Sequence, residues 1–111
     1  MSADGMNMSE ELQMKDLELK EMFIKQEFDS LVDELNQIND SDVLLMNQMN
    51  WEIVKKYFDL GREDLIRKHL SFVAYTSFLT EYAGERELYE EQDYQVRFQL
   101  FQEIYEMLSR G

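Results

Sequence analysis

The sequence predicts an all-α protein, a four-helix bundle-like domain with a long N-terminal helix. Three observations carry that reading. Proline is absent, and Gly5, Gly61, Gly84 and Gly111 all stand outside the long periodic runs. Apolar residues recur at three- and four-residue spacing, the period of one helix face. Acids stand four residues before bases at Glu11–Lys15, Asp16–Lys20, Glu21–Lys25, Glu52–Lys56, Glu63–Arg67, Asp64–Lys68, Asp93–Arg97 and Glu106–Arg110. That order supports a helix by about 0.2–0.5 kcal/mol per pair.

The elements follow in chain order. Residues 1–8, "MSADGMNM", carry no periodic apolar pattern and are predicted as a flexible tail. Residues 9–111 are predicted as a single helical domain, a length that suits one core. Helix one is expected from Glu10 to Ile38 as one rod. Ser9 is its N-cap, and Glu10 and Glu11 suit the positive end of the dipole. The polar stretch "NDSD", Asn39 to Asp42, ends it and offers Asp40 or Ser41 as the next cap. Helix two is expected over Val43–Leu60, helix three over Glu63–Ala83 and helix four over Arg86–Ser109. Gly61 and Gly84 mark the stops, because glycine takes positive φ at low cost. "YQVRFQLF", Tyr94 to Phe101, alternates like a strand, but Tyr94, Phe98, Phe101, Tyr105 and Leu108 extend four-three spacing, so helix is the better reading.

Helix one raises the functional question. On a wheel with Ile24 at the origin, Leu17, Phe28, Leu31, Leu35 and Ile38 fall within about 40° of it. They form one seam suited to shallow-angle packing. Leu12, Leu19 and Phe23 lie about 100–140° away, and Met22 lies nearly opposite the seam. A rod of that length overhangs shorter partners. Leu12, Leu19, Met22 and Phe23 are therefore predicted to contact a second copy or a partner. Two flanking neighbours within the same bundle would bury both stripes instead. Glu11, Glu18, Asp29, Asp33 and Asp40 form an acidic column opposite the seam, interrupted by Lys15. Glu87, Glu90 and Glu91 add acids at the start of helix four, where they also favour the helix dipole.

The net charge is −13. Residues 1–40 hold eleven acids and three bases, a charge of −8; residues 85–111 hold seven and three, −4. Such a chain is repelled by nucleic acid and by anionic membranes and attracted to basic protein surfaces. "VLLM", Val43 to Met46, is far too short to span a bilayer. "MSADGMNMSEE" has no basic region followed by an apolar core, so no secretory signal is predicted, and a cytoplasmic location is expected.

No chemistry stands out. Cysteine is absent, which removes disulfides, thiolate nucleophiles and thiolate metal sites. His69 is the only histidine. Histidine phosphotransfer domains share this size and helix count, but they expose the histidine beside a lysine and a small residue. Phe72 and Val73 stand three and four residues after His69, so a structural, half-buried histidine is expected. Paired Glu-x-x-His motifs, calcium loops and phosphate-binding loops are missing. No catalytic residue, metal or cofactor is predicted. Helix two, with Leu45, Met46, Met49, Trp51, Ile53, Val54, Tyr57 and Phe58, reads as the most buried helix.

The expected function is therefore non-enzymatic binding: the acidic faces of helices one and four capture a basic protein surface, apolar residues of helix one supply specificity, and a nucleic-acid-binding protein would be inhibited. In composition the chain is similar to small acidic inhibitors encoded by phages and mobile elements. The alternative is a homo-oligomeric adaptor or structural protein, such as a homodimer, assembling through helix one.

Overall fold

The structure, a computed structural model, describes residues 9–110. The predicted tail, residues 1–8, and Gly111 lie outside them. All regular structure among the described residues is helical: α1 Glu10–Ile24, α2 Phe28–Asn36, α3 Asp40–Asp59, α4 Glu63–Lys68, α5 Leu70–Glu85 and α6 Glu91–Arg110. Tyr94–Phe101 lies inside α6 and is helical, as the four-three spacing predicts. No described helix is long and apolar enough to cross a membrane.

The all-helical class holds, but among the described residues six helices replace the expected four. The predicted first rod is broken. It ends at Ile24 and restarts at Phe28. The break is a Schellman motif: Gln26 N–H donates to the Phe23 carbonyl at 3.0 Å and Glu27 N–H to the Met22 carbonyl at 2.9 Å. The motif needs a left-handed residue at its turn, and Gln26 supplies it at φ 63°. Two further helix ends repeat the device. Gly61, at φ 67°, sits between Gly61 N–H to Phe58 O (2.9 Å) and Arg62 N–H to Tyr57 O (3.2 Å). Glu87, at φ 59°, sits between Glu87 N–H to Gly84 O (3.0 Å) and Leu88 N–H to Ala83 O (2.9 Å). Only one of the three turns uses glycine. Gly84 does not stop α5, which runs through it to Glu85.

A left-handed glutamine is strained by about 1–2 kcal/mol relative to the right-handed region. Gln26→Gly removes that strain but adds backbone entropy to the unfolded chain. Its expected net effect is a gain of up to about 1 kcal/mol, read as a higher denaturation midpoint without loss of helix signal. A fall in the midpoint would show that the Gln26 side chain contributes more than its backbone costs.

Other boundaries follow local chemistry. Ser9 caps α1 as predicted, its Oγ accepting from Leu12 N–H at 3.2 Å. Asn39, rather than Asp40 or Ser41, caps α3: its Oδ1 accepts from Asp42 N–H at 2.9 Å and from Ser41 Oγ at 2.8 Å. The predicted third helix divides at His69, whose ψ of 36° departs from the helix between α4 and α5. His69 is half-buried, with its ring stacked on Tyr57 at 5.5 Å. The predicted fourth helix starts five residues late, at Glu91 instead of Arg86.

The chain divides into two compact units, residues 1–46 and 47–111, with α3 contributing to both. In the first unit α1 packs on α2, and Leu19, Leu31, Leu35, Val43 and Met46 are fully enclosed. In the second unit α4, α5 and α6 pack pairwise. Its core holds Trp51, Val54, Ile66, Val73, Phe101 and Ile104. The residues that α3 brings to it, Asn47, Asn50, Trp51 and Val54, are all buried.

Candidate functional site

The broken rod changes which side of α1 faces inward. Leu12, Asp16, Leu19 and Phe23 follow a four-three-four stripe. Leu19 is fully enclosed, Asp16 is buried, and Leu12 and Phe23 are half-buried. This is the packing face. The predicted contact set is therefore corrected. Leu19 has no surface to offer, and Leu12, Met22 and Phe23 offer only part of theirs. Phe23 also meets Phe28 across the break, edge to face, with ring centroids 5.7 Å apart.

The expected packing seam is corrected in the opposite sense. Leu17 is 65% exposed, Ile24 51% and Phe28 44%. They join Met14, 63% exposed, as open apolar side chains of the first unit. Only Leu31 and Leu35, beyond the break, lie inside as the seam requires. The turn at Gln26 resets the helical phase, so one wheel does not describe both halves.

The predicted acids are all exposed: Glu11, Glu18, Asp29, Asp33 and Asp40 in the first unit, and Glu87, Glu90 and Glu91 in the second. They do not form one column. Glu11 and Glu18 lie on α1, Asp29 and Asp33 on α2 and Asp40 at the start of α3. Glu87 and Glu90 precede α6 instead of filling its first turn, which holds Glu91 and Asp93. Lys15, read as an interruption of the column, ties α1 to α2. Its Nζ lies 2.8 Å from Glu34 Oε1 and 3.4 Å from Glu18 Oε1. The hydrogen bond to Glu34 is the main reason its ammonium titrates above the ordinary lysine value.

The outer face of α1 is thus the most distinctive surface of the first unit. Glu11, Met14, Leu17, Glu18, Glu21 and Ile24 are all exposed on an arc of about 140°. A shallow depression of about 540 Å³ opens on it, floored by Met14, Leu17 and Met22 and edged by Glu18, Glu21, Lys25 and Glu27. Comparison with protein families, with curated proteins and with solved structures returns no match. The reading of this face therefore rests on its own geometry.

The second unit carries a different kind of order. Arg97 lies between two rings, its guanidinium carbon 4.8 Å from the Trp51 centroid and 4.5 Å from that of Tyr89. Its Nη2 donates to Gln48 Oε1 at 2.6 Å. Asn47, fully enclosed, accepts from the Tyr89 hydroxyl and donates to Thr80 Oγ1 at 3.1 Å. Burial raises the Tyr89 hydroxyl above the ordinary tyrosine value; nearby Arg97 opposes that shift and Asp93 adds to it. These contacts fasten α6, through Arg97, and the turn before it, through Tyr89, to α3. Sequence reasoning had no signal for them, because Arg97 looked like the base of an Asp93–Arg97 helix pair.

Lys55, Arg62 and Arg67 of the second unit pair with acids close in sequence. Arg62 grips Asp64 with two hydrogen bonds, 2.9 and 2.8 Å, which hold that carboxyl down to about 2. Arg67 reaches Glu63 at 3.2 Å and the Leu108 carbonyl at 3.1 Å. Between α5 and α6 lies an apolar groove of about 440 Å³, lined by Leu70, Val73, Phe101, Ile104, Tyr105 and Leu108 among others. No group of three or more metal-ligating side chains is gathered among the described residues.

Proposed function

We propose that this chain is a non-enzymatic binding protein whose first unit docks on a basic surface of another protein. One observation carries the reading: the outer face of α1 exposes Met14, Leu17 and Ile24 among Glu11, Glu18 and Glu21. Isolated apolar side chains on a surface are ordinary, but a cluster rimmed by charge marks an interaction site. The field around it has one sign. Residues 1–46 hold twelve acids and three bases, a charge of −9. Such a field speeds encounter with a basic surface and repels acidic ones, while the apolar contacts set how long the complex lasts.

Basic protein surfaces commonly serve nucleic acid, so a bound chain of this charge would exclude the nucleic acid and inhibit. Under this reading the protein acts in the manner of the small acidic inhibitors of phages and mobile elements. It needs no direct contact with nucleic acid or membrane and no cofactor. The same open apolar side chains also suit self-association through α1, as in a homo-oligomeric adaptor.

Salt separates the two. At 1 M salt the Debye length shrinks to about 3 Å, so an acid-led complex dissociates while an apolar self-association persists. The full chain, immobilised and exposed to host extract, should retain basic nucleic-acid-binding proteins at 0.15 M salt and release them by 1 M. The variant Glu11→Lys/Glu18→Lys/Asp29→Lys/Asp33→Lys should retain none of them. Retention that is indifferent to both salt and charge reversal would overturn the proposal. A chain whose mass in solution is doubled, and stays doubled at high salt, would favour the adaptor reading.

A further inference from the structure

From the same face we infer the shape of the partner element: a basic amphipathic helix lying along α1, its apolar side in the depression over Met14, Leu17 and Met22. The inference rests on the docking reading above and goes further, because a basic surface has many shapes and a helix has one period. Met14, Leu17 and Ile24 recur at three- and seven-residue spacing along the axis. Their span, ten residues at 1.5 Å each, is about 15 Å, close to three turns of an opposing helix. Apolar anchors at i, i+3 or i+4, i+7 and i+10 or i+11 of such a helix cover that length. Two of the three floor residues are methionines, whose unbranched side chains adapt to differently shaped anchors.

Charge decides between occupants. Three carboxylates, Glu18, Glu21 and Glu27, edge the depression against one base, Lys25. A second copy of this chain would bring the same acids to the contact, and like charges facing each other oppose it. An acidic or neutral helix leaves the carboxylates unpaired. A helix with lysine or arginine flanking its apolar anchors meets them with charges of opposite sign. Lys25, the C-cap of α1, is the one base of that lining, so an acid on the partner is tolerated only opposite it.

The test uses the full chain and two synthetic peptides of equal composition. One places leucine at i, i+3, i+7 and i+10 of a lysine-rich helix; the other shuffles the same residues so that the leucines are spread round the axis. Binding is followed by fluorescence anisotropy of the labelled peptide at 0.15 M salt. The amphipathic peptide should bind at least about tenfold tighter than its shuffled isomer. Leu17→Glu should remove that advantage, and Glu90→Lys/Glu91→Lys in the second unit should preserve it. Equal binding of the two peptides, or an advantage untouched by Leu17→Glu, overturns the helical partner. If the salt-released, charge-dependent capture of basic proteins persists in that case, the broader docking proposal stands without it. Loss of capture together with a Leu17-dependent doubling of mass overturns both and assigns the face to a second copy.

Discussion

Trp51→Ala should lower the stability of the second unit by about 3–5 kcal/mol, the usual cost of truncating a buried aromatic residue to alanine. Trp51 is 7% exposed and packs edge to face on Phe101, with ring centroids 5.6 Å apart. Its other role is to carry Arg97, which Tyr89 covers from the opposite side. Alanine removes the ring, leaves a cavity beside Phe101 and strips one wall from a half-buried guanidinium. A cation over an aromatic face contributes about 0.5–2 kcal/mol depending on its exposure. A small protein commonly has only about 5–15 kcal/mol in total, so the variant should be near unfolding at room temperature.

The measurement is direct because Trp51 is the only tryptophan. In the wild-type chain its fluorescence reports unfolding of the second unit. The alanine variant is followed by far-UV circular dichroism. Trp51→Phe keeps an aromatic ring against Phe101 and should cost clearly less than alanine. Equal losses in the two variants would mean that indole size and its contact with Arg97 matter more than the aromatic pair. A loss below about 1 kcal/mol in the alanine variant would show that the core does not close around this residue.

How much of this was legible depended on whether a feature left a residue-type signature. Ser9 and Gly61 did. A hydroxyl before two glutamates caps a helix, and a glycine after a periodic run stops one. The turn at Gln26 did not. Its left-handed residue is a glutamine, indistinguishable in sequence from the helical glutamines around it. Glu87 hid the end of α5 in the same way, and Gly84 drew the boundary to itself. Two errors followed from the first turn. One wheel does not hold across the break, and Leu12, Leu19 and Phe23, read first as a partner contact, belong to the packing face. Asp16, a buried carboxylate, stands within that face. The acids of the candidate site were legible as exposed residues, because a carboxylate is best solvated. Their arrangement was not, because that depends on helix directions set by the turns.

The sharpest consequence concerns two neighbours on α1. Leu19→Glu should unfold the first unit, whereas Leu17→Glu should leave its stability within about 0.5 kcal/mol of the wild type. Leu19 is fully enclosed, so glutamate there must bury a carboxylate, take up a proton or expel the helix. Each route costs several kcal/mol, and the loss of leucine packing adds about 2–5 more. Leu17, 65% exposed, gives its place to a glutamate that stays in water beside Glu18 and Glu21. Hydrogen exchange of the amides from residues 10 to 36 reads both outcomes in the intact chain. Protection should collapse in the Leu19 variant and persist in the Leu17 variant. An unbroken rod with Leu17 in its packing seam requires the reverse order. The pair therefore tests the turn at Gln26 as well as the two faces of α1. It also bears on the docking proposal: binding lost in Leu17→Glu, with protection kept, assigns the loss to the surface and not to the fold.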